Sequence, residues 1–137
     1  MEEISPNFNY QTIREIWKAV ELALNGADWL TTKQLLEALD LAGVGCSKST
    51  LNRDVSLLDE CKISGFNHFK KDKGFDRSSI TILVILRWFS CNRSRGQGMI
   101  HLPEVLKLIK TVAEIEKNEQ QQWRNCPTIE VQAVSVY

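Results

Sequence analysis

Lys48, Ser49, Thr50, Asn52 and Arg53 fall within six residues of one another, and no other stretch of the chain gathers this mixture of side chains. Arg pairs bidentately with O6 and N7 of guanine and Asn does the same on adenine, while Lys, Ser and Thr hold phosphate oxygens. Farther along, Lys70, Lys71 and Lys73 crowd a short segment, and Arg77 follows four residues later. The chemistry these residues suit is recognition of a polyanion, with double-stranded DNA as the expected partner. Two plainer readings stay open. Ser and Thr are ordinary caps at a helix start, and a lysine-rich loop is often only solvated surface.

Charge distribution favours the recognition reading. The 137 residues carry 17 basic and 17 acidic side chains, so the total is zero. Yet residues 46–95 hold 10 basic and 5 acidic groups, against 2 and 5 in residues 1–30 and 4 and 5 in residues 102–137. A neutral sum therefore hides a positive centre.

Catalytic chemistry is thinly supplied. His68 and His101 are the two histidines, and no glycine-rich phosphate loop is present. Asp59 and Glu60 are adjacent, which on a helix points them ~100° apart. Cys46, Cys61, Cys91 and Cys126 are separated by 15, 30 and 35 residues, with no C-x-x-C pair to begin a zinc or redox site. They read as reduced thiols of a cytoplasmic protein. No enzyme, metal or cofactor is expected. No basic-then-apolar leader opens the chain, and its strongest apolar run, Ile80 to Leu86, falls far short of the ~20 residues that span a bilayer, so no membrane role is expected either.

The composition, 43% hydrophobic and 25% charged, fits one folded domain with an ample core. Residues 1–30 read as a loose tail and a helix, whose stripe is Ile13, Ile16, Trp17, Val20 and Leu24 and whose stop is Asn25-Gly26. Residues 31–100 read as a DNA-binding unit. Thr31 with Gln34 makes a capping box for a second helix that buries Leu35, Leu36 and Leu39. After Gly43-Val44-Gly45, Ser47 or Ser49 caps a third helix reaching about Cys61, with Leu51, Val55 and Leu58 inward and the polar cluster outward. Two helices joined in this way form a helix-turn-helix, whose second helix offers its N-terminal side chains to the major groove.

Ile63 to Phe69 and a return at Phe75 read as a β-hairpin wing with the lysines at its tip. Ser78 or Ser79 then caps a helix from Ile80 to about Cys91, apolar all round, for which a buried strand is the alternative. Asn92 to Gly98 reads as a basic loop. Residues 101–124 read as a long helix with Pro103 in its first turn, and Val105, Leu108, Val112 and Ile115 form a seam expected to pair two subunits; burial within the same chain is the alternative. Residues 125–137 read as a terminal strand or tail. The fold class is thus mainly α with a small hairpin wing.

This order of parts, followed by Gly74-Phe75-Asp76-Arg77-Ser78-Ser79 leading into an apolar helix, resembles a MerR-type transcriptional regulator over about residues 31–122. In that family a winged helix-turn-helix precedes a Gly-Tyr-Arg-x-Tyr-Ser-like segment, a helix pair and a long dimerisation helix. Here Phe75 stands where Tyr is usual and Asp76 where Arg is usual, so the resemblance does not put the phosphate-gripping arginine at 76 and leaves Arg77 as its expected substitute. No effector-binding domain follows the long helix and no paired cysteines mark its end. The chain is similar in this compactness to the small MerR-type repressors encoded beside cyanobacterial CRISPR-associated transposons, and no small-molecule effector is expected. The resemblance implies a homodimeric repressor on an inverted-repeat operator. An excisionase-like DNA-bending factor and a protein–protein adaptor are the competing roles.

Overall fold

The computed structural model describes residues 8–67 and 74–124, the last five of these as backbone only. In it, the chain is mainly helical with a two-stranded antiparallel sheet: α1 (Tyr10–Leu24), β1 (Trp29–Thr31), α2 (Thr32–Leu41), α3 (Lys48–Glu60), β2 (Gly74–Asp76), α4 (Arg77–Asn92) and α5 (Arg95–Arg124). The expected tail, the wing lysines Lys70, Lys71 and Lys73, and the terminal strand at 125–137 lie outside the described residues.

Local chemistry explains most boundaries. Asn9 caps α1 by accepting from the Thr12 N–H at 2.8 Å, and Asn25 ends it in the left-handed conformation. The capping box at Thr31 and Gln34 is present in full. Gly43, at φ +80°, turns the chain after α2, and the buried Val44 anchors that turn by donating to the Leu39 carbonyl. Ser47 caps α3 through the Thr50 N–H.

The apolar run from Ile80 is helix, and it is the centre of the molecule. Ile80 and every residue from Ile82 to Phe89 are buried, enclosed by α1, by α5 and, on one flank, by α3. Each large aliphatic side chain removed from water here contributes roughly 1.5–3 kcal/mol. A helix covered on several sides has no polar face to display, which is why its pattern is featureless in sequence. One core takes residues from α1, from α2 to α4 and from α5, so it crosses the boundaries drawn at residues 31 and 101. A part-buried ion pair between Arg14 of α1 and Glu116 of α5 ties the first and last helices together.

Four expectations need correction. The stretch from Ile63 to Asn67, expected as strand, is a turn-containing loop, with Gly65 and the preceding Lys62 at positive φ, and the rest of the expected hairpin, 68–73, lies outside the described residues. Instead β2 pairs with β1, in the register Trp29 to Asp76, Leu30 to Phe75 and Thr31 to Gly74. Second, α4 is capped by Asp76, not Ser78 or Ser79: its carboxylate accepts from the Ser79 N–H at 2.9 Å. Both serines instead fasten the preceding loop, Ser78 to the Gly65 carbonyl and Ser79 to the backbone of Asn67.

Third, α5 begins at Arg95, so most of the expected basic loop is helix and Pro103 lies inside it. Ser94 caps this start through the Gln97 N–H. Fourth, Val105 and Val112 are buried in the chain's own core and are closed to a partner; Leu108 is half-buried and Ile115 is 38% exposed. The cause is that α4 and α1 both pack against α5, so the expected seam lies within the chain's own core.

Gly98 marks where α4 and α5 cross closely. A Cβ there would lie 2.9 Å from the Phe89 Cβ and 3.0 Å from Leu86 Cδ1, whereas one at Gly96 meets nothing. Gly98→Val should therefore cost about 1–3 kcal/mol through overpacking. Gly96→Ala should gain about 0.4–1 kcal/mol by restricting the unfolded chain. Urea unfolding of both variants checks the opposite signs.

Candidate nucleic-acid interface

Helix α3 carries the polar cluster because its buried stripe leaves it no other place. Leu51, Asp54, Val55 and Leu58 face inward, and Lys48, Ser49, Asn52 and Arg53 are exposed, with Thr50 half-exposed. Thr50 is partly engaged, its hydroxyl 3.0 Å from that of Ser47. Among the described residues, Lys48, Ser49, Asn52 and Arg53 hold no hydrogen-bond or ion-pair partner, so these donors are free for a ligand. Arg77 opens α4 on the surface, and its one ion pair among the described residues, to the exposed Asp28 at 3.9 Å, is of the kind that contributes little.

The sequence reading missed the charged core behind α3. Asp54 is fully buried, with Arg87 Nη1 3.5 Å from Oδ2 and Arg95 Nε 2.8 Å from Oδ1. The Arg95 contact is an ion pair without the alignment of a hydrogen bond. Arg87 also makes long contacts to the Val44 carbonyl and the Cys91 sulfur. Burial pushes the Asp54 carboxyl above the usual aspartate range, and Arg95 and Arg87 pull it only part of the way back. One carboxylate thereby fastens α3 to α4 and to the start of α5. A signal was present in the sequence: Asp54 sits on the apolar stripe of its helix, and Arg87 sits inside an apolar run.

Two other basic residues have structural occupations. Arg93 lies over the rings of Phe8, Trp88 and Phe89, 5.2–5.9 Å from their centres, which fits a cation–π role at the α4–α5 junction. Arg95, held by Asp54, also lines an open groove of about 420 Å³ along α3 with Asn52, Arg53, Ser56, Leu57 and Glu60.

Asp76 is committed to the fold. Burial pushes its carboxyl up, but hydrogen bonds from the Ser79 hydroxyl and N–H and from Asn67 outweigh that and hold it below the usual range. A depressed carboxyl contributes stability that is present above its unfolded value, about 3.9, and is lost as pH falls through the folded one. Asp76→Asn keeps a capping oxygen and removes the charge. It should lower stability at pH 7, with the gap to the parent protein closing in unfolding curves taken progressively below pH 4.

Among the described residues, no group of three or more His, Cys, Asp or Glu is placed to hold a metal ion, and no helix is long and apolar enough to cross a membrane. No protein-family model, curated protein or solved structure matches the chain.

Proposed function

We propose that the chain is a cytoplasmic, homodimeric, sequence-specific regulator of transcription, a repressor that binds an inverted-repeat operator in double-stranded DNA through a MerR-type winged helix-turn-helix. The observation that carries this reading is the outer face of α3, where the side chains of Lys48, Ser49, Asn52 and Arg53 stand exposed over a buried stripe, with no polar partner among the described residues. A helix used for reading bases must be rigid as well as exposed, and the Asp54 ion pairs supply that support. In this reading Arg53 and Asn52 address base edges. Lys48, Ser49, Thr50 and Arg77 hold phosphate, as do Lys70, Lys71 and Lys73 on sequence grounds alone. With Val105 and Val112 occupied, subunit pairing through α5 falls to the flank bearing Leu108 and Ile115.

Selection from randomised duplexes at low and at physiological salt, with sedimentation of the complex, tests the proposal. An enriched inverted repeat bound by two chains at physiological salt is the expected result. Binding without an enriched motif that vanishes with salt leaves only the electrostatic attraction of an architectural DNA-bending factor. Absence of binding at either salt removes DNA as the partner and leaves the adaptor role.

A further inference from the structure

We propose that Arg95 grips a backbone phosphate in the groove beside α3, next to Arg53, and that buried Asp54 is the residue that positions Arg95 for this grip. The inference rests on the DNA-binding reading above and adds to it a contact from outside the helix pair. An α-helix with its side chains is about 10–12 Å across, and the major groove is about 12 Å wide. A helix seated there has a sugar-phosphate strand along each flank, and an open groove along α3 lies on such a flank.

That groove has two cationic walls, Arg53 on α3 and Arg95 on α5, with Asn52 and Ser56 as further donors. Glu60 is its single acidic lining residue. Asp54 is one residue from Arg53 and six from Glu60, so the 2.8 Å ion pair holds the Arg95 guanidinium towards the Arg53 end, away from the Glu60 carboxylate, which would repel a phosphate. Arginine carries five N–H donors, and the contact of Arg95 with Asp54 is made through Nε; among the described residues its terminal nitrogens make no hydrogen bond. The side chain is 37% exposed, which leaves that end open to the groove. A guanidinium already fixed by a carboxylate loses little freedom on meeting a phosphate, and the planar fork suits two oxygens at once.

The test measures binding of the full chain, as wild type and as Arg95→Gln, to the selected operator and to an unrelated duplex over a range of salt, with a thermal melt of each protein. Arg95→Gln should weaken both duplexes alike and flatten the slope of log K against log salt by about 0.9, the share of one phosphate. A purely supporting role for Arg95 would lower the melting temperature and leave the slope unchanged; that outcome overturns the proposal while the wild type's binding sustains the DNA reading. If the wild type binds neither duplex, the DNA reading fails and the clamp falls with it. Should Arg95→Gln not fold, the Nε–Hε resonance of Arg95 in the wild-type protein serves instead. It should shift when operator is added, and its constancy while α3 resonances move would overturn the clamp.

Discussion

Asp54→Ala should destabilise the protein by about 3–5 kcal/mol, roughly a third of the stability of an ordinary domain. The loss arises less from the attraction removed than from the charge left behind. Arg87 is 7% exposed and sits in the most buried helix, so without Asp54 its guanidinium stays in the core uncompensated. Arg95 is more exposed and can turn to water. Pairing the change with Arg87→Met should recover most of the loss, because an apolar pair of similar volume removes both desolvation costs. Urea unfolding of the two single variants and the double variant measures the coupling. An Asp54→Ala loss under about 1 kcal/mol would mean that Arg87 finds solvation elsewhere. The pH dependence has the opposite sign to that of Asp76. A raised carboxyl contributes stability that is full below its unfolded value and is lost as pH rises through the folded one, so Asp54→Asn should remove that decline.

Arg53→Ala should leave stability unchanged and cost about 1–3 kcal/mol of specific DNA binding, roughly 5- to 150-fold. The side chain is exposed and touches no described polar group, so nothing in the fold depends on it. If it reads guanine, the loss falls on the selected operator, and base preference relaxes at one position of each half-site. Leu51→Ala, one turn of thought away on the buried stripe, should instead unfold the helix from behind, at about 2–5 kcal/mol. Competition binding with operators altered one base at a time separates the two. Equal loss on every duplex would reduce Arg53 to a phosphate contact.

The helices were legible where local chemistry decides them. Thr31 with Gln34, Ser47 with Thr50, and Asn25-Gly26 are short-range signals, and each marks an observed boundary. The start of α5 was not, because Gly96, Gly98 and Pro103 all argue against helix locally. Gly98 is required by the close passage of Phe89, a contact between residues on different helices that no local pattern reveals. The sheet was misread for a similar reason. β1 is three residues long, and its partner β2 lies 43 residues onward, beyond the reach of a hairpin signal. The seam on α5 has the spacing of a subunit interface, yet a spacing of three and four states only that a face is buried, not by what. Here the chain's own core, with α4 and α1 packed on α5, buries Val105 and Val112. The outward face of α3 needed only the inward stripe to be found, whereas the ion pairs behind it join residues 33 and 41 positions apart.

The clasp between α1 and α5 bears on how the chain is made. α4 needs α5 as well as α1 to cover it, and the last buried side chain of the described core is Val112. During synthesis the ribosome must therefore pass Val112 before the core is closed, and until then the most apolar helix has an open side. A nascent chain in that state is a natural client for a chaperone, and its yield in cells should depend on translation past Val112 more than on any residue that touches DNA.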